Sequence, residues 1–322
     1  MISRNARVLK ALLFAVVVAA TLLAVRVSAS SDTNLVHLAR VERLAGIKIG
    51  PGKAWLAGGM NGDGAAFAVV AADPSGSGPG QKLRVSAYRY ARPAYPYLSS
   101  LSVAGQNDLV LIGLTAIGLA AVAGTAFLAH LLDRHLGWYA WFLVVNPALV
   151  IGFLNNTAEP LAILTLSLAL FTGSRLAAGA TALTRPSYVL GLAKDWRALA
   201  VGLAVALVVK VFWSWRFVES VTSGGFNLDI PFRGIVQSPS LTGGLVVIAG
   251  LATALIGLAK KDAGWILSGL LVVSLSAVVV DTPVNAVRAA GLLPVLWAFG
   301  PRFEPRSLKS ILHVGGVSYS EG

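Results

Sequence analysis

The chain contains no cysteine. That excludes a disulfide framework, a thiolate zinc site and a thiol nucleophile. Charge is scarce: 12% of residues are Asp, Glu, Lys or Arg, about half the fraction of an ordinary soluble domain. Acid is scarcer than base, with 14 carboxylates against 26 Lys and Arg and a net charge of +12. The histidines, His37, His130, His135 and His313, are scattered and form no H-E-x-x-H, so no metal site is assigned. Walker A and G-x-S-x-G signatures are also missing. Basic residues gather at the edges of apolar segments, without a long basic stripe interleaved with aromatics. They fit anionic membrane lipid and not nucleic acid.

What is abundant is apolar: 56% of the 322 residues are hydrophobic. The fold class is an all-α polytopic membrane protein. Arg4, Arg7 and Lys10 precede an apolar run from Ala11 to Val25, short for a span of about 20 residues. V-S-A-S-S after it leaves a cleaved signal peptide open; a retained anchor over residues 1–28, extended by the stem of Arg26, is the preferred reading. Residues 29–106 read as a long first extracytoplasmic loop, with a weakly amphipathic stretch at Leu35–Ile49 that lies on the membrane surface or in water. Residues 107–300 read as a multi-helix membrane domain and 301–322 as a cytoplasmic tail.

The segments Leu109–Leu132, Trp138–Leu154, Ala158–Phe171, Leu199–Trp215, Leu241–Leu258, Trp265–Val280 and Ala289–Phe299 read as spans. With the first helix they make about eight. Leu176–Ala193 is interrupted by T-R-P at Thr184–Pro186 and reads as a broken or re-entrant segment. Two topologies differ there. A straight span puts Lys194, Arg197 and Lys260-Lys261 outside; a broken hairpin puts them inside with the N-terminus. The second obeys the positive-inside rule and is preferred.

Candidate chemistry lies on the outer side. Asn61–Phe67 reads N-G-D-G-A-A-F, and Ala72–Pro74 reads A-D-P. Asp63 between two glycines is the candidate general base, with Asp73 as the alternative; a solvated turn aspartate is the plain reading. Asp108, Glu159, Glu219, Asp229 and Asp281 share that side. Arg89, Arg92, Arg185, Arg288 and Lys210 sit at or inside apolar edges, where a lone charge is costly. A phosphate is a natural partner for a guanidinium fork; snorkelling is the alternative for Arg288 and Lys210. The tyrosines at 88, 90, 95 and 97 read by default as an interfacial belt.

The order of these pieces resembles the GT-C superfamily of membrane glycosyltransferases, near its mannosyltransferase-like and uncharacterised bacterial members. The likeness rests on D-G at Asp63-Gly64 with Phe67, on Asp73-Pro74, and on Y-R-Y-A-R-P-A-Y-P-Y from Tyr88. It continues through N-P-A at Asn146, E-P-L at Glu159, A-L-T-R-P-S at Ala182 and V-R-A-A-G-L-L-P at Val287. It spans roughly residues 61–295. Ala65 and Ala66 stand where the family often has aromatics, and the chain is short for the superfamily.

The resemblance implies inverting transfer from a polyprenyl-phosphate sugar to a glycan, lipid or protein acceptor at the outer face of a bacterial cytoplasmic membrane. Asp63 would be the base. Arg89, Arg92, Arg185 and Arg288 would hold the phosphate, with Tyr88 and Glu159 beside it. No cofactor is implied, and a divalent cation is left open. A transporter or flippase for an anion, with Arg185 and Lys210 lining its path, is the rival reading. A non-catalytic subunit of the same fold is a third.

Overall fold

The computed structural model of the chain describes residues 4–29, 32–58, 62–83, 86–219, 230–280, 282–301, 303 and 305. Helices dominate, and no strand forms among the described residues. Five helical stretches are long and apolar enough to cross a membrane: Asn5–Ser28, Asn107–Asp133, Gly137–Leu154, Trp196–Arg216 and Leu241–Lys260. Other segments read as spans fold as shorter apolar helices, Glu159–Thr172, Ala263–Val273 and Pro283–Phe299.

The first helix, α1 (Arg4–Ser28), shows why this bundle suits lipid. Ala11, Ala15 and Ala19 recur at helical spacing and are buried, while Leu12, Leu13, Val16 and Val17 are exposed. Small residues inside and branched ones outside invert the pattern of a soluble helix.

Residues 29–106, read as the first extracytoplasmic loop, fold largely as a helical layer. It comprises α2 (Asp32–Ala45), α3 (Gly62–Ala72), the one-turn α4 (Ser86–Tyr90) and α5 (Ala94–Ser102), with short 3-10 turns between them. The reason is in α3: the run from Ala65 to Ala71 is apolar on every side and entirely buried. The amphipathic α2 packs one face inward: its Leu38 and Val41 join a core with Leu56, Phe67, Tyr95, Leu111 and Leu114. Two of the four tyrosines read as an interfacial belt turn into the protein. Tyr90 and Tyr95 are buried, and their hydroxyls donate to the carbonyls of Asp73 (2.6 Å) and Leu114 (2.8 Å). Asn61 lies outside the described residues.

The membrane layer begins with α6 (Val110–Leu136), antiparallel to α1: Arg7 Nη2 donates to the Leu131 carbonyl at 2.7 Å. A 3-10 stretch (Gly137–Leu143) and α7 (Pro147–Leu154) return the chain, and α8 (Glu159–Thr172) recrosses. Next, α9 (Arg175–Thr184) runs back until Arg185 reaches Glu159, and a 3-10 turn (Pro186–Leu192) retraces it. Gly173, Arg175, Gly191 and Lys194 therefore line one cavity of about 470 Å³, together with Asp262 and Phe299. The chain thus doubles back at Arg185, and Arg175, Lys194, Arg197 and Asp262 share the end opposite Glu159.

Helix α10 (Trp196–Arg216) follows, then the short α11 (Arg233–Gln237). Helices α12 (Leu241–Lys260) and α13 (Ala263–Val273) make a tight antiparallel hairpin, turned by Lys261 in the left-handed region (φ 55°). Helices α14 (Ala277–Val280), α15 (Pro283–Ala289) and α16 (Leu292–Phe299) complete the bundle. Asp229, Asp281, Arg302, Arg306 and Lys309 lie outside the described residues.

Candidate functional site

Chain segments remote in sequence bring charged side chains to one end of the bundle. Asp63 stands in the first turn of α3 and Glu159 in the first turn of α8, where the helix dipole favours an anion. Arg89 and Tyr88 come from α4, and Arg92 follows it. Arg185 comes from the break in the hairpin, and Arg288 from the last turn of α15.

The Asp63 carboxylate is surrounded. Arg89 pairs with its Oδ1, Arg288 Nη2 donates to its Oδ2 at 2.9 Å, and Arg92 Nη1 lies 3.7 Å from the same oxygen. Arg288 also holds Glu159, with Nε 3.0 Å and Nη2 2.9 Å from Oε1. Arg185 Nη1 reaches that same Oε1 at 2.5 Å. Glu159 is fully buried and Arg288 is 3% exposed, whereas Asp63 is 20% exposed at the mouth. Tyr188 fixes α15 by donating to the Arg288 carbonyl at 3.1 Å.

Aromatic rings line the cluster. Arg92 lies 4.3 Å from the Tyr88 ring centroid and 5.1 Å from that of Phe67. Arg89 and Lys210 are each 5.4 Å from the Tyr88 ring. The Arg92 guanidinium, with Arg185 and Arg288 behind it, holds the Tyr88 hydroxyl below the usual phenol range despite burial.

The balance is cationic. Four guanidinium groups, at 89, 92, 185 and 288, face two carboxylates, an excess of two positive charges. Arg92 is 3% exposed, yet its Nε and Nη2 have no hydrogen-bond partner. Buried polar groups are normally paired. The site therefore has unfilled donor capacity and a charge suited to an anion.

Asp63, Glu159, Tyr88 and the four arginines chosen from sequence thus converge. Asp73 does not join them. Its carboxylate is saturated by a glycine-rich loop, accepting from Ser75 Oγ and from the amides of Ser77, Gly78 and Gly80. It closes that loop and faces no arginine in any ion pair among the described residues. Lys210 and Arg185 stand at the Asp63 end, over the Tyr88 ring and on Glu159. Glu219 accepts from the amides of Ser86 (2.9 Å) and Ala87 (3.2 Å), holding the start of α4. Among the described residues no group of His, Asp and Glu gathers to hold a metal ion.

Sequence reasoning missed Arg26. Read as a snorkelling stem, it is 2% exposed. It donates to the carbonyls of Phe153 (2.7 Å) and Leu56 and to Asn156 Oδ1 (2.9 Å). Carbonyl dipoles at the ends of two distant segments, and not a carboxylate, carry its charge. Only the buried Asn156, in the left-handed region (φ 53°), hints at so specific a junction.

No family model matches the chain, and no curated protein or solved structure matches it either.

Proposed function

We propose that the chain is a GT-C-like, inverting glycosyltransferase that moves a sugar from a polyprenyl-phosphate donor to an acceptor hydroxyl outside a bacterial cytoplasmic membrane. The observation that carries this reading is the meeting of Asp63 with Arg89, Arg92 and Arg288 at one rim of an apolar bundle. The end that carries Arg7, Arg175, Lys194 and Lys260 then faces the cytoplasm by the positive-inside rule, with the N-terminus inside.

The roles follow from the chemistry. An acceptor oxygen attacks the anomeric carbon while Asp63 takes its proton. The bond from that carbon to the phosphate oxygen breaks, its electron pair stays with the phosphate, and the sugar inverts. Negative charge grows on the leaving phosphate, and Arg89, Arg92 and Arg288 stand ready to receive it. Glu159, paired with both Arg185 and Arg288, orients Arg288 in this reading.

The test is transfer of labelled sugar from polyprenyl-phosphate hexoses in proteoliposomes. Asp63→Asn is expected to lower the rate by about 100-fold or more, with Asp73→Asn retaining activity wherever its loop folds. Full activity of Asp63→Asn removes Asp63 as the base. Solute flux without transfer favours a transporter.

A further inference from the structure

The same cluster carries a second idea, which rests on the reading above: the base and the phosphate compete for one set of arginines. Asp63 holds Arg89, Arg92 and Arg288 together at the rim. Deeper in, Glu159 is fully buried and bound by Arg288 and Arg185. A bound Asp63 carboxylate occupies the position that suits a phosphate oxygen. Yet it leaves the cluster two positive charges in excess and Arg92 Nε and Nη2 unpaired.

We propose that Asp63 acts as an internal stand-in for substrate phosphate. At rest it closes the arginine cluster. A phosphate enters by displacing it, and the freed carboxylate becomes available to the acceptor. The charge excess favours a dianion. The site is therefore complementary to the phosphate monoester that leaves, more than to the singly charged sugar phosphodiester that arrives. This is the direction that catalysis requires, because stabilisation must be larger where charge develops.

The test is binding by the full chain in nanodiscs of zwitterionic lipid. The probes are undecaprenyl monophosphate, inorganic phosphate and phosphatidylglycerol. Removing an internal competitor strengthens binding, so Asp63→Asn is expected to bind undecaprenyl monophosphate about tenfold or more tightly than wild type. Arg92→Gln is expected to bind it more weakly. Phosphatidylglycerol, a monoanionic diester, is expected to bind most weakly. Preference for undecaprenyl monophosphate over inorganic phosphate supports a lipid ligand; equal affinity supports a soluble phosphate at the same cluster.

Unchanged or weaker phosphate binding by a folded Asp63→Asn overturns the proposal. Should that variant not fold, the wild-type structure with undecaprenyl monophosphate bound decides. Phosphate on Arg89, Arg92 and Arg288 with Asp63 turned away supports displacement, and an intact Asp63–Arg288 pair contradicts it. The two readings fail separately. Sugar transfer by wild type with no gain in Asp63→Asn sinks the competition alone. A gain without transfer by wild type sinks the glycosyltransferase alone.

Discussion

Arg288 joins the two carboxylates of the site, and Glu159 is the residue on which that geometry depends. A buried carboxylate holding two guanidinium groups cannot be removed cheaply, because Arg185 loses its carboxylate partner and Arg288 loses one of its two. Glu159→Ala is expected to destabilise the protein by about 3–5 kcal/mol, read as a lower unfolding temperature in a fixed detergent. Wild-type stability would show that water or lipid relieves the pair. The residue types were legible in the sequence: a carboxylate beside glycines and arginines at apolar edges do not arise by packing alone. Their partners were not. Nothing local says that Arg288 reaches both Asp63 and Glu159, or that Arg26 ends on carbonyls. Asp73 shows the opposite limit, since D-P-S-G-S-G holds its own loop closed and looks like a site from spacing alone.

Two elements turn on features the sequence gives unequally. Helix α3 is hidden behind N-G-D-G, which reads as a turn, while its apolar run is too short for a span. Burial under α2 and α5 makes it a helix. The α12–α13 hairpin is more legible, because glycines recur where the helices touch. A Cβ at Gly269 would stand 2.5 Å from the Ala254 amide and 2.5 Å from the Gly250 carbonyl. Gly269→Ala must therefore push the hairpin apart, and a lower yield of folded protein and a lower unfolding temperature are expected; a neutral result would contradict that packing. The turn after α2 depends on pH. Gly50 and Ile49 amides donate to the Glu42 carboxylate, holding its pKa below the ordinary 4.5. Because the folded value is depressed, this stabilisation is present above the unfolded value and is lost as pH falls through the folded one. Hydrogen exchange at Ile49 and Gly50 is expected to lose its protection as pH falls through that depressed folded value, and Glu42→Gln to lose it at all pH values.

Over the whole molecule, basic side chains stand at both ends of the bundle. Arg7, Arg175, Lys194 and Arg197 lie at one, and the four arginines that hold Asp63 and Glu159 at the other. The charge bias in the sequence already preferred a broken hairpin at T-R-P, and the fold places Arg185 on Glu159 accordingly. The number of crossings was less legible, because α8, α13 and the α15–α16 pair are apolar yet short. The absence of cysteine makes the orientation testable with single replacements. Asp108→Cys is expected to react with a membrane-impermeant maleimide in intact cells and Lys194→Cys only after lysis; the reverse pattern would invert the topology.

The most direct measurement of the central claim is the initial rate of sugar transfer from a polyprenyl-phosphate donor by the purified protein in proteoliposomes, wild type beside Asp63→Asn. Transfer by wild type is expected, with a loss of about 100-fold or more in the variant at equal folded protein. Equal rates in the two proteins, or no transfer by wild type from any polyprenyl-phosphate hexose, would contradict it.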